Sequence, residues 1–280
     1  MKKFPIGVIL DSFRCGYKEA MDKAVQIGAN GFQVYASCGE LYPENLTNEK
    51  KNEFIKNFKD RGLVVSALCG DLGKGFTNKD ENPELIYKSK RIIELAKEMG
   101  TNIVTTHIGR VPEDNTCDTY KIMQEACHEL AEYADSLDAH FAIETGPEPA
   151  KRLKEFLDTL DSTGVAVNLD PANLTMCVSD DAVEAVYTLK KYIVHTHAKD
   201  GICLTDGKIE LNSEQAIKAA QGEAFLEVPL GQGGVDWDNY LKALEEIGYN
   251  GFLTIEREVG ENPSADISLA ADFLRGKYKI

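Results

Sequence analysis

No apolar stretch of this chain approaches the roughly 20 residues that a membrane-spanning helix requires, so a membrane partner is not expected. Cys-x-x-Cys is also missing, although the 280 residues include 7 cysteines. Their wide spacing and odd number read as free thiols of a reducing compartment, which points to the cytoplasm and away from a disulfide framework. Basic side chains are scarce, with 31 Lys+Arg against 46 Asp+Glu and a net charge of −15. A polyanion such as nucleic acid would be repelled at long range. The basic pairs Lys50-Lys51, Lys90-Arg91 and Lys190-Lys191 fall on helix-like segments and read as solvated faces. A Gly-x-Gly-x-x-Gly phosphate loop is absent after the first apolar run, which leads into LDSFRCGYKEA instead. That counts against an open doubly wound dinucleotide-binding sheet. The start, MKKFPIGVILDSF, is interrupted by Asp11 and followed by no small-residue cleavage site, so it reads as a first strand and not as a signal peptide.

What is present is an alternation of strand-like and helix-like runs. Strands are expected at residues 5–10, 31–36, 64–69, 103–107, 140–144, 165–169, 193–197 and 251–255. Between them lie amphipathic stretches at near-3.6 spacing, such as 84–99, 120–137, 182–191 and 237–247. Three helix-to-strand junctions share one punctuation: IGAN-GFQV, MGTN-IVTT and IGYN-GFLT. A Gly-x-Asn there is a helix stop signal, because both residues tolerate a left-handed backbone. Eight βα units in a chain of this size predict an α/β fold, a (βα)8 TIM barrel, with residues 1–280 forming one domain. The long loops 37–48, 70–82 and 199–234 follow strands, which puts them on the catalytic face of such a barrel. The last contains a helix-like piece at 213–221 and reads as a lid or substrate wall.

Four strand ends carry chemistry. Glu144 closes FAIETG, Asp170 follows AVNL, His197 lies in YIVHTHAKD and Glu256 follows GFLTI. Strand alternation puts residues i and i+2 on one face. His195 thus points with His197, Asn168 with Asp170, Thr254 with Glu256 and Thr105 with His107. The four would then converge on one opening, and three carboxylates buried together require a cation. The competing reading, four separate caps or surface ion pairs, does not explain why they recur at successive strand ends. An oxygen-rich shell with one nitrogen suits one divalent ion, Mn²⁺, Mg²⁺, Co²⁺ or Zn²⁺. Gly231, Gly233 and Gly234 would either bring backbone amides to a phosphate or form a bare turn.

In order along the chain, FAIETGPEP, AVNLDPANL, VHTHAKDG, EVPLGQGGVDW and GFLTIEREVG resemble the xylose isomerase-like TIM-barrel superfamily of sugar (phosphate) isomerases and epimerases. The resemblance implies Glu144, Asp170, His197 and Glu256 as metal ligands, with Glu144 and Glu256 as the acid/base pair. It implies His107 and His195 as residues lining the substrate site; for His195 the competing reading is a hydrogen-bonded histidine of the barrel interior. The ketose 3-epimerases of the group resemble LDxxH after the sixth strand, whereas this chain has LDPAN. Asn173 therefore stands at a substrate-binding position, and Lys199 follows His197 where an Arg would stand. The implied activity is divalent-metal-dependent isomerisation or epimerisation of a small keto-sugar or sugar phosphate, by proton abstraction through an enediolate. A metal-dependent dehydratase of an inosose-type keto-polyol is the alternative. An apurinic-site nuclease is disfavoured by the net charge, by only 5 histidines and by Asn173 at a ligand position. The partner expected is a small molecule, with homo-oligomerisation left open.

Overall fold

The computed structural model describes residues 4–208 and 210–277. The basic start at residues 1–3, position 209 of the long loop and the last three positions of the expected domain lie outside the described residues. The eight expected runs become eight strands: β1 (Ile6–Ile9), β2 (Gly31–Tyr35), β3 (Val64–Cys69), β4 (Ile103–Thr106), β5 (His140–Glu144), β6 (Val165–Leu169), β7 (Ile193–Ala198) and β10 (Leu253–Ile255). All pair in parallel and close into a barrel in the order β1-β10-β7-β6-β5-β4-β3-β2. Parallel strands covered on both faces need not alternate in polarity. Accordingly, every residue of β1 and of β6 is buried.

Helices α1 (Tyr17–Gln26), α2 (Asn48–Asp60), α3 (Asn82–Met99), α4 (Asp118–Ser136), α5 (Ala150–Leu157), α7 (Ala182–Leu189), α9 (Trp237–Glu246) and α10 (Pro263–Gly276) surround the strands. Helix α3 shows why they stay there. Leu85, Ile86, Ser89, Ile92, Ile93, Ala96 and Met99 recur at helical spacing and are buried against the sheet. Where the chain turns back, Gly28, Gly100 and Gly248 have φ of 69°, 88° and 79°. These are the glycines of the three Gly-x-Asn junctions, and only glycine takes that backbone without strain.

Two features exceed a plain barrel. A short helix, α6 (Pro171–Val178), follows β6 directly. The loop after β7 holds an antiparallel hairpin, β8 (Asp200–Cys203) with β9 (Phe225–Val228), and α8 (Ser213–Ala220) lies between its strands. The hairpin has its own small apolar cluster of Ile202, Leu204 and Val228. The expected helical piece at 213–221 is α8; the two strands around it were not foreseen. Among the described residues no helix is long and apolar enough to cross a membrane.

Candidate functional site

All four chemistry-bearing strand ends open at the C-terminal face of the barrel. Glu144, Asp170, His197 and Glu256 are buried, and one ligand atom of each lies within 4.8 Å of the others. Nδ1 of His197 stands 3.6 Å from Glu144 Oε1, 3.4 Å from Asp170 Oδ2 and 3.1 Å from Glu256 Oε2. His197 Nδ1, Asp170 Oδ2 and Glu256 Oε2 nevertheless form no hydrogen bond of good geometry, although all three are shut off from solvent. Each such group costs about 1–3 kcal/mol if left unsatisfied. Lone pairs turned on one point from three carboxylates and an imidazole are the donor set of a hard or borderline divalent cation.

Three of the four groups are held in place by neighbouring polar side chains or amides. Asp170 caps α6 through Oδ1, which accepts the Asn173 amide at 2.8 Å, leaving Oδ2 for the centre. Glu144 accepts the side-chain amides of Asn168 on Oε2 and Asn173 on Oε1, both at 3.0 Å. Nε2 of His197 lies 3.1 Å from Gln33 Oε1, and the Gln33 amide donates to Thr105 Oγ1 at 3.2 Å. With its proton on Nε2, His197 presents the Nδ1 lone pair inward.

Electrostatics follow from burial and from charge. Burial opposes the His197 imidazolium, but the negative charges of Glu256 and Glu144, with Asp170 beside them, outweigh it and hold the ring well above its ordinary range. Burial would also raise Glu256, yet His197 and Lys199 pull it below the carboxylate range. Burial prevails at Asp170 and pushes it up. The centre therefore demands positive charge. A proton on Nδ1 supplies it poorly, because no carboxylate oxygen lies in its line.

The other expected site residues divide. His107 reaches the mouth: its Nε2 is 3.6 Å from Glu144 Oε1 and its Nδ1 is 3.2 Å from Asp71 Oδ2. Glu144, outweighing burial, raises it to about 9. Asn173 holds Glu144, as above. Lys199 is only 4% exposed, with Nζ 3.1 Å from Glu256 Oε2 and a further contact to Glu258. His195 is placed differently from its expected substrate-lining role. It lies two residues deeper on β7 and is 1% exposed. Its Nδ1 meets Asn168 Oδ1 at 2.8 Å and its Nε2 meets Thr254 Oγ1 at 2.9 Å. Burial, then the neighbouring His197, drives it well below the usual range, so it is a neutral imidazole bracing Asn168 and not a wall of the opening.

Sequence reasoning missed Gln33 and Asp71. Gln33 announces itself only as a polar residue inside the apolar run GFQVY. The glycines of GQGG resolve as a turn in which the Gly231 amide donates to Asp200 Oδ2 and the Gly234 amide to the Gly201 carbonyl, both at 2.9 Å.

The xylose isomerase-like TIM barrel family profile matches residues 21–277. A putative L-ribulose-5-phosphate 3-epimerase, SgbU, of Haemophilus influenzae is 23% identical, covering 98% of this chain and 96% of the relative. An inosose dehydratase of Clostridium perfringens is 22% identical, covering 86% of this chain and 82% of its own length. The crystal structure of a xylose isomerase domain protein from Planctomyces limnophilus superposes with a TM-score of 0.80 at 25% identity, over 99% of this chain and 97% of that one. With its closed eight-stranded barrel and a profile match across most of its length, the chain belongs to the xylose isomerase-like TIM barrel family.

Proposed function

We propose that the protein is a divalent-metal-dependent isomerase or epimerase of a small keto-sugar, with Glu144 and Glu256 as its proton-transfer groups. The observation that carries this reading is the convergence of Asp170 Oδ2 and His197 Nδ1, buried and without hydrogen bonds, with Glu256 Oε2, which the Lys199 ammonium approaches at 3.1 Å, beside Glu144. A divalent cation held by Glu144, Asp170, His197 and Glu256 would supply Lewis-acid polarisation of a substrate carbonyl.

The residues themselves do the rest. Glu144 and Glu256 come from β5 and β10, with β6 and β7 between them in the barrel order. They face a substrate at the mouth from different sides. One removes the proton from the carbon beside the carbonyl. The other returns a proton, to the opposite face in an epimerisation or to the neighbouring carbon in an isomerisation. The amides of Asn168 and Asn173 fix the plane of the Glu144 carboxylate, and the Lys199 ammonium fixes Glu256. The relatives support a reaction at such a carbon: carbon 3 of L-ribulose 5-phosphate, named for the putative epimerase, lies beside the ketone, and the inosose named for the dehydratase is itself a ketone. The dehydratase reading keeps the same first step and then expels hydroxide, so product mass separates the two.

The test is turnover of ketoses and inososes by the Mn²⁺-loaded protein in D₂O, followed by NMR. Deuterium is expected at the reacting carbon. Glu144→Gln and Glu256→Gln should each lower kcat by about 10²–10⁴-fold, the usual worth of a positioned acid or base, with metal occupancy checked in each. Deuterium-free product, or near-normal kcat in metal-loaded Gln variants, would sink the mechanism.

A further inference from the structure

In barrels of this architecture a substrate phosphate is held by the loops after the seventh and eighth strands, through backbone amides and an adjacent helix start. Here those strands are β7 and β10, and the loop between β9 and α9 carries the glycines suited to the task. The protein has already filled the place with its own carboxylates. Asp200, buried where β8 leaves the barrel, accepts the Gly231 amide on Oδ2 at 2.9 Å, the Trp237 indole N–H on Oδ2 at 3.0 Å and the Val235 amide on Oδ1 at 3.2 Å. Gly233 packs so tightly there that a Cβ would lie 2.1 Å from Asp200 Oδ1. The start of α9 is taken by Asp236, which accepts the Asn239 amide, and that of α10 by Asn262, which accepts the Ala265 amide.

The cations of the same rim are also engaged. Lys199 is paired with Glu256 and Glu258. Arg257 is paired with Glu227 at 2.7 Å and Asp266 at 2.8 Å. Arg14 donates to the Glu258 and Gly260 carbonyls at 2.7 and 2.9 Å. Arg110 is exposed, but it follows β4, four strands from β10 around the barrel, and its charge falls on the buried Glu148 carboxylate. A dianionic phosphate at the rim would displace at least one buried ion pair and face Asp200, Glu227 and Glu258, where like-charge contact and exposed partners cost several kcal/mol.

Resting on the proton-transfer reading above, we infer that the site takes an uncharged keto-sugar or keto-polyol and rejects its phosphate ester. This separates the chain from the L-ribulose-5-phosphate activity of its relative. Two measurements test it. The first needs no turnover: metal-free protein is titrated with inorganic phosphate while the amides of 230–235 and 257–262 are followed by NMR. No saturable shift below about 10 mM is expected; submillimolar binding at those amides overturns the inference. The second compares kcat/KM of the Mn²⁺-loaded enzyme for free ketoses and for the same ketoses phosphorylated at the terminal carbon. At least a tenfold preference for the free sugar is expected, and a preference for the ester overturns the inference while leaving proton transfer intact. If no ketose or inosose is turned over, the functional reading fails, and the phosphate titration still decides whether the rim is built for phosphate.

Discussion

At His197 the two ring nitrogens have opposite tasks. Gln33 Oε1 accepts the Nε2 proton, so the Nδ1 lone pair is free to face Glu144, Asp170 and Glu256. Gln33→Leu keeps the size of the side chain and removes the acceptor. Mn²⁺ affinity should fall about 10–100-fold, the usual effect of deleting a ligand's orienting partner, as measured by titration calorimetry with circular dichroism unchanged. Unaltered affinity would mean that the tautomer is set elsewhere. The four ligand candidates were legible in the sequence because each ends an apolar run and would be costly to bury without a cation. Gln33 was not, since one polar residue in an apolar run says nothing of what it touches. His195 shows the other limit. Alternation correctly puts it on the face of His197, but it does not reveal that one strand step of depth separates the mouth from a closed layer.

At the level of elements, the barrel's irregularities coincide with its chemistry. Pairing shifts register between Phe32 and Gln33 on β2, and between Val167 and Asn168 on β6. These are the side chains that orient His197 and Glu144. A bulge re-aims the residue that follows it, which is how two polar groups from separate strands reach His197 and Glu144. The hairpin depends on a different device. Glu227 of β9 accepts Arg257 Nη1 at 2.7 Å, with both residues buried. Arg257→Met should destabilise the protein by about 3–5 kcal/mol by removing the cation hydrogen-bonded to the buried Glu227 carboxylate. Adding Glu227→Leu should recover much of this, as seen in urea unfolding. Hydrogen exchange across 200–228 should rise in the single variant. A single variant as stable as the parent would show the pair to be dispensable. The eight barrel strands were readable because continuous burial writes them as compact apolar runs. The strands of the hairpin were not. DGIC and FLEV are four residues each, pair only with each other, and mix an acidic residue or glycine into their buried positions, so they lack both the periodicity and the length of an apolar run.

For the molecule as a whole, a net charge of −15 raises the energetic stake of the centre, where three carboxylates share one low-dielectric space. A cation that binds the folded chain and not the unfolded one stabilises it by RT ln(1 + [L]/Kd), about 2.7 kcal/mol at a hundredfold excess over Kd. Mn²⁺ should therefore raise Tm by several degrees over chelator-treated protein, and Asp170→Ala should abolish the gain. Equal shifts in both proteins would place the bound ion elsewhere. The hairpin has a consequence of another kind. The chain leaves the barrel at Asp200 and returns at Val228, and these two residues are direct cross-strand partners. Its exit and re-entry points are thus about one strand spacing apart, ~4.8 Å. A segment entering and leaving through so narrow a gate can be exchanged for one of different length without moving β7 or α9. The eight strands and the four ligand candidates then act as a fixed chassis. The stretch between Gly201 and Glu227 is a cassette, through which a descendant of this chain would acquire a new wall above an unchanged reaction centre.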